Sequence, residues 1–194
     1  MQSQLAVSLP LLLLTACSSP TMSSQDAPLS EPWARTALLV GQRQLDDTEW
    51  DPVEDQFYVA IQHASIPAGQ TAGHEFGVSA SFGSGDALGL DFDSRIVEAF
   101  GGLRVEPESQ GKLRPFFGAG LSLAYGEVEA SGPGGSATID DTVFGFYLHG
   151  GASIELSETT DLVLDVRYRT GQDAEFEGFD VDADFLVLAV GLAF

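Results

Sequence analysis

The chain ends in Asp184-Phe185-Leu186-Val187-Leu188-Ala189-Val190-Gly191-Leu192-Ala193-Phe194, which has the period of a β-strand. Counting back by twos from Phe194, one face carries large apolar side chains at Leu192, Val190, Leu188 and Leu186. The other face is mostly small, with Ala193, Gly191, Ala189 and Val187. A strand at the surface of a soluble protein has one polar face, and neither face is polar here. The pattern predicts a strand with one face in lipid and the other in a crowded barrel lumen.

The same alternation repeats along the chain. In segment 114–129, for example, Phe117, Leu121 and Tyr125 share a face opposite Gly118 and Gly120. The predicted strands are 35–45, 57–65, 74–82, 95–106, 114–129, 142–156, 161–170 and 182–194. Their lengths suit tilted crossings of a bilayer, and an even number of strands can close without leaving an unpaired edge in lipid. The predicted fold is therefore an all-β, eight-stranded antiparallel up-and-down transmembrane β-barrel.

The connections alternate in character, which gives an orientation. Those after the second, fourth and sixth strands are 66–73, 107–113 and 157–160, and the others, 46–56, 83–94, 130–141 and 171–181, are longer or more acidic. Short turns face the periplasm in outer-membrane barrels, and longer loops face outside. We therefore expect periplasmic termini and acidic extracellular loops.

Charge excludes some partners. Among 194 residues, 29 are acidic and 8 basic, a formal net charge of −21, so nucleic acid is not an expected partner. The acidic side chains concentrate in two predicted loops: Asp46, Asp47, Glu49, Asp51, Glu54 and Asp55 in the first, and Asp173, Glu175, Glu177, Asp180, Asp182 and Asp184 in the last. Divalent cations are an open partner there, but the spacing lacks the Gly and terminal Glu of a calcium-binding EF-hand loop. No metal site and no cofactor are predicted.

The amino-terminal region predicts export. An apolar run from Leu5 to Leu14 ends in Leu14-Thr15-Ala16-Cys17, which resembles the lipobox of bacterial lipoproteins. That resemblance implies a lipoprotein-type signal peptide over 1–17, with Cys17 acylated, and the alternative is an ordinary signal peptide cleaved nearby. Residues 18–32 are Ser/Pro-rich, which is typical of a flexible tether, so the barrel is predicted over 33–194.

Eight charged side chains are predicted to face the lumen. They are Arg43, Glu75, Glu98, Arg104, Glu155, Asp165, Arg167 and Arg169. An eight-stranded barrel is only wide enough for side chains to fill it, and buried charges there must pair. The prediction is an internal network of ion pairs that plugs the barrel, and a narrow pore lined by the same charges is the alternative.

A family resemblance fits these patterns. The segment Arg114-Pro-Phe-Phe-Gly-Ala-Gly-Leu-Ser-Leu-Ala-Tyr125 and the last strand resemble the eight-stranded outer-membrane β-barrel family related to OmpA and OmpX. The resemblance implies the bacterial outer membrane as the location, membrane lipid as the surroundings and a monomer. Phe194 resembles the terminal aromatic by which such barrels are recognised for insertion, which implies the barrel-assembly machinery as a partner.

His149 is the lumen residue to weigh for catalysis. Lipid A deacylases on this fold use a His-x-Ser pair, but the matching stretch here is His149-Gly150-Gly151. Ser153 lies four residues along, about 13 Å away at the rise of a strand, which is beyond hydrogen-bond reach. Either hairpin register places His149 opposite Arg167 or Arg169. His149 therefore joins the predicted lumen network, no catalytic residue is predicted, and the protein is not expected to be an enzyme.

Three functions stay open at this point. The leading hypothesis is a non-enzymatic outer-membrane barrel with a structural or surface-interaction role through its acidic loops. A small pore or conduit for small or apolar molecules is the second. The third is a soluble lipocalin-like lipoprotein, which requires large apolar side chains inside the barrel.

Overall fold

The computed structural model describes residues 33–45, 50–109, 111–172, 174–176, 179–181 and 183–194. The predicted signal peptide, Cys17 and the tether 18–32 lie outside these residues. So do Asp46, Asp47 and Glu49 of the first acidic loop and Asp173, Glu177 and Asp182 of the last.

Eight of the ten described strands form a closed antiparallel barrel, in the order β1-β10-β7-β6-β5-β4-β3-β2. The strands are β1 (Trp33–Leu45), β2 (Asp55–Ile66), β3 (Ala72–Ala87), β4 (Leu90–Val105), β5 (Leu113–Gly132), β6 (Gly135–Ser157), β7 (Thr160–Gly171), β8 (Ala174–Phe176), β9 (Phe179–Val181) and β10 (Phe185–Ala193). Strands β8 and β9 pair only with each other, between β7 and β10. The predicted eight-stranded up-and-down barrel is confirmed.

The large apolar side chains point out of the barrel. Leu121, Phe146 and Leu164 are 47%, 59% and 46% exposed, whereas Val187 of the last strand is 1% exposed and faces the lumen. The predicted sidedness of the strands is therefore correct. The lipocalin-like alternative is wrong, because it needs these side chains inside. No helix within the described ranges is long and apolar enough to cross a membrane.

The two ends of the barrel differ in how far their strands extend. We call the end with Trp33, Phe194 and the connections β2–β3, β4–β5 and β6–β7 the near end, and the opposite end the far end. At the far end β3 and β4 continue to a turn at Leu88 and Gly89, both with positive φ (54° and 79°), as a type I′ hairpin turn requires.

The prediction of loops at 83–94 and 130–141 is therefore wrong, because most residues of both segments lie in strands. In the register, Asp91 pairs with Ser131 and Ser131 with Ser136, so these hairpins form one sheet. We call residues 83–87, 90–94, 127–132 and 135–141 the projecting sheet. Its inward face carries Phe92, Val128 and Ile139, which pack against the buried core. Its opposite face is acidic, and that alternation of apolar and charged residues is itself a strand pattern.

Candidate functional site: the lumen and the projecting sheet

A histidine held between two carboxylates occupies the middle of the lumen. His149 Nδ1 lies 2.7 Å from Asp165 Oδ2, and His149 Nε2 lies 2.7 Å from Glu75 Oε1. Tyr147 donates its hydroxyl to Glu75 Oε1 at 2.8 Å, and the Gln62 amide donates to Glu75 Oε2 at 3.0 Å. Both nitrogens of the imidazole ring therefore face acids inside the protein.

A glycine makes room for this arrangement. Gly118 pairs with His149 across β5 and β6. A Cβ at position 118 would overlap the imidazole and come within 2.7 Å of Glu75 Oε1. The glycines that the sequence places among lumen charges thus create space for the charged side chains.

Arg167 lies opposite His149 in the β6–β7 register, one of the two placements predicted. Its Nη2 donates to Gln62 Oε1 at 3.1 Å, and its guanidinium lies 3.8 Å from the centre of the Phe100 ring. Other lumen arginines stack in the same way, Arg104 over Phe116 at 3.8 Å and Arg43 over Phe185 at 4.0 Å. Such stacking is favourable when the cation is removed from water.

The half of the lumen towards the far end contains a closed ion pair. Arg43 Nη2 donates to Glu98 Oε2 at 2.9 Å, and both side chains are 0% exposed. Arg43 also donates to the hydroxyls of Ser79 and Ser81. Arg169 donates to carbonyls and a hydroxyl, with Ala183 O at 2.6 Å as the shortest contact.

The near end holds ion pairs that the sequence analysis did not assign. Arg104 pairs with Glu106 at 2.7 Å and lies 3.9 Å from Glu75. Asp161, fully buried, contacts both Arg114 and Arg35. Asp161 shares the lumen parity of Asp165 and Arg167 on β7, so strand parity could have identified it.

One predicted member of the network is misplaced. Glu155 is exposed, and none of its contacts with the described residues is an ion pair with a lumen arginine. It lies at the near end of β6, where the pairing with β7 is irregular between Glu155 and Ser157. The alternation of a strand predicts which side chains point towards the lumen. Such a side chain is buried only where the barrel wall encloses it. The remaining predicted residues, Arg43, Glu75, Glu98, Arg104, His149, Asp165, Arg167 and Arg169, are all buried.

The lumen is filled at both ends. Towards the far end, Trp50, Phe185 and Leu45 line a cavity of about 20 Å³. Towards the near end, a cavity of about 10 Å³ lies beside Trp33 and Arg35. Each has room for about one water molecule. The sequence pattern assigns no role to the aromatic side chains, such as Trp50 and Trp33, that line these cavities.

The acidic face of the projecting sheet places like charges side by side. Asp86 pairs with Asp91, Asp93 with Glu129 and Glu127 with Asp140 across neighbouring strands. The Asp86 carboxylate raises the pKa of Asp91, because it accepts a hydrogen bond from the protonated Asp91 carboxyl and its negative charge repels that of ionised Asp91. Arg95 offsets part of the charge through an ion pair with Glu127 at 2.9 Å. In the described part of the chain no three His, Cys, Asp or Glu side chains are grouped to hold a metal ion.

Comparison with known proteins agrees with this architecture. The family model for the outer membrane protein beta-barrel domain matches residues 9–194. Among curated proteins there is no match. Among solved structures, the chain is similar to Neisserial surface protein A, with a TM-score of 0.59 and 15% identity over 86% of this chain and 98% of that one.

Two further structures show the same fold. A major outer membrane protein of Thermus thermophilus matches with a TM-score of 0.58 and 14% identity, over 83% of this chain and 98% of that one. OprG of Pseudomonas aeruginosa matches with a TM-score of 0.57 and 14% identity, over 85% and 95%. An apolar belt outside, a filled polar lumen and a family match over most of the chain lead to one conclusion: the chain belongs to the outer membrane protein β-barrel family and is located in the bacterial outer membrane.

Proposed function

We propose that the protein is a closed, non-enzymatic outer-membrane barrel that acts through its projecting sheet, in a structural or surface-interaction role. The observation that carries this proposal is the contrast between a filled lumen and an acidic, exposed sheet. The side chains of Arg43, Arg167 and Arg169 occupy the lumen and are at most 1% exposed. The projecting sheet, in contrast, presents exposed carboxylates that a partner can reach, among them Asp93, Glu129 and Asp140.

The setting of His149 supports the absence of an enzymatic role. Both ring nitrogens lie 2.7 Å from carboxylates, so a substrate would have to displace Glu75 or Asp165 to reach the ring. The end cavities of about 20 and 10 Å³ are also too small to admit a lipid chain.

Charge indicates the kind of partner. The Ail protein of Yersinia pestis, similar in fold with a TM-score of 0.52 and 11% identity over 86% of this chain and 99% of that one, was crystallised in complex with the heparin analogue sucrose octasulfate. That ligand is a polyanion, and the acidic face here would repel it. We infer that the projecting sheet favours basic partners, with the far end extracellular.

The remaining expectations belong to the same proposal. Acylation of Cys17 would add a lipid anchor to a barrel that is already embedded, so it would contribute little to membrane affinity. Membrane lipid surrounds a single copy of the barrel, and divalent cations screen the acidic face. Recognition of Phe194 by the barrel-assembly machinery stays a prediction.

A small pore is the second candidate, and one observation favours it. Buried polar atoms in the lumen lack a hydrogen-bond partner among the described residues, namely Arg43 Nε, Glu98 Oε1, Arg167 Nε and Arg167 Nη1. Buried groups of this kind are commonly satisfied by water. A conducting path would require a continuous chain of water molecules through the lumen.

Conductance separates the two candidates. Purified full-length protein in planar bilayers at defined salt is expected to show no discrete conductance steps, because both ends of the lumen are filled. Reproducible single-channel steps in the folded protein would overturn the closed-barrel proposal in favour of the pore.

A matched pair of triple variants tests the role of the projecting sheet. Asp93→Asn, Glu129→Gln and Asp140→Asn remove three charges from the sheet, and Glu108→Gln, Glu155→Gln and Glu158→Gln remove three exposed charges from the near end. We expect the sheet variant to bind a basic peptide, such as oligolysine, more weakly than the near-end variant does. Equal loss in both variants would show that only net charge matters and would contradict the proposal.

A further inference from the structure

Two cavities adjoin on the outer surface of the barrel, the first over β1 to β4 and the second over β3 to β5. The first is a shallow apolar groove of about 600 Å³ on the lipid-facing surface, and the outward-facing side chains that line it are Leu38, Val40, Val59, Ile61, Val78, Ala80 and Val97. The second is a polar cavity of about 360 Å³, whose lining includes Phe82, Asp93, Arg95, Glu127 and Glu129. The first is open to the surrounding lipid along its length.

The strand register joins the two cavities. Ala80 pairs with Val97 at the edge of the groove that faces the far end. Phe82 pairs with Arg95 at the edge of the polar cavity that faces the near end. Arg95 lies two positions before Val97 on β4, which is about 7 Å at the rise of a strand. The combined space is thus apolar where the barrel meets lipid and polar on the side towards the far end. A lipid molecule has the same division into an apolar chain and a polar headgroup.

Small side chains form the row of the groove that lies nearest the polar cavity. Val40, Val59, Ala80 and Val97 pair in turn across β1 to β4, and the next row towards the near end carries the larger Leu38 and Ile61. On β5 the first row continues with the larger Tyr125, which pairs with Val97. The depression is therefore deepest beside the polar cavity.

The charged side chains of the polar cavity indicate which lipid headgroup would bind there. Arg95 is more than half exposed, and its ion pair with Glu127 uses only Nη2. The rest of its guanidinium fork can bind a phosphate, for which arginine geometry is well matched. Asp93 and Glu129, a like-charged pair beside it, would repel a headgroup that is only anionic, so the headgroup must also carry a positive charge.

We propose that this wall binds one acylated lipid whose headgroup carries both a phosphate and a protonated amine. The acyl chain lies in the groove over Ala80 and Val97. The phosphate contacts Arg95, and the amine lies between Asp93 and Glu129. The site shares Asp93 and Glu129 with the acidic face of the projecting sheet, but its test measures retention of a lipid and not binding of a basic peptide, so the two proposals can fail separately.

Native mass spectrometry of the full-length protein in detergent, with phosphatidylethanolamine added, tests the site. We expect one retained lipid per barrel. Arg95→Gln is expected to lower retention about tenfold, the effect of losing one charge-assisted hydrogen bond, and Ala80→Phe to lower it similarly by filling the groove. Arg95 is exposed, so this variant is expected to fold, which heat-modifiable gel mobility checks.

Controls and a second lipid make each outcome decisive. Lys112→Gln removes an exposed positive charge at the near end, and Ala119→Phe enlarges a lipid-facing alanine on β5, so neither should change retention. Phosphatidylglycerol has the phosphate without the amine and should be retained more weakly. Equal retention of the two lipids would overturn the assignment of the amine. No retained lipid, or equal losses in the control variants, would overturn the site.

Discussion

In the lumen Arg43 faces Glu98 at 2.9 Å, whereas in the projecting sheet Asp93 faces Glu129 across the strand pair. The first pair is fully buried, and a charge without its partner there would cost several kcal/mol, so opposite charges must meet. The second lies where water and salt screen the repulsion. The barrel therefore tolerates like charges only where they are solvated, and burial rather than charge content decides which residues are structurally constrained.

The largest expected difference between the two regions comes from removing one arginine in each. Arg43→Met should lower the free energy of unfolding by about 3–5 kcal/mol, because it leaves Glu98 buried without a partner. Arg95→Met breaks an ion pair that is largely exposed and should cost at most about 1 kcal/mol. Urea unfolding in lipid vesicles measures both. Similar losses in the two variants would mean that the lumen is hydrated enough to solvate Glu98.

A smaller effect is expected from adding a methyl group among the lumen charges. Gly118→Ala forces the new Cβ against His149 and should lower the free energy of unfolding by about 1–3 kcal/mol through overpacking. Gly126→Ala, on the same strand, meets Ile96 Cγ1 at 3.9 Å, an ordinary contact, and should change stability by less than about 0.5 kcal/mol. The same unfolding assay applies. A neutral Gly118→Ala would show that the His149 side chain can move aside.

Strand parity made much of this comparison predictable. Arg43, Glu98 and Arg167 follow from alternation alone, because a side chain opposite a lipid-facing residue must enter the lumen. The specific pairing of Arg43 with Glu98 could not be predicted, since it crosses between strands that are not neighbours and depends on how the hairpin registers set the tilt of the barrel.

The projecting sheet was missed for a different physical reason. Glycine and Asp at 83–94, and glycine, Pro133 and Asp at 130–141, are the usual signals of a loop. In the folded sheet Asp91 and Asp93 flank Phe92, and Glu127 and Glu129 flank Val128, so these residues satisfy a strand whose one face is solvated. Glu155 illustrates the opposite error: its alternation is that of a lumen residue, but at the near end of β6 its side chain is exposed, although its cross-strand partner Asp161 is buried.

The smallest expected effect concerns pH at the tip of the β3–β4 hairpin. The pKa of Asp91 is raised by its hydrogen bond with Asp86, so protonation favours the paired state. This stabilisation is complete below the ordinary pKa of aspartate and is lost as pH rises through the higher pKa of the folded hairpin. Hydrogen exchange at residues 83–94, corrected for intrinsic rates, should therefore show protection that falls over this window.

The variant Asp91→Asn identifies the cause of this fall. It removes the titrating group, so protection at residues 83–94 should become independent of pH in that window, whereas Glu108→Gln, an exposed substitution at the near end, should leave the fall unchanged. High salt should reduce the difference between the wild type and Asp91→Asn, because the repulsion is screened. A fall in protection that persists in Asp91→Asn would assign the pH response to the other carboxylates of the acidic face, Asp93 first, since its charge also acts on Asp91.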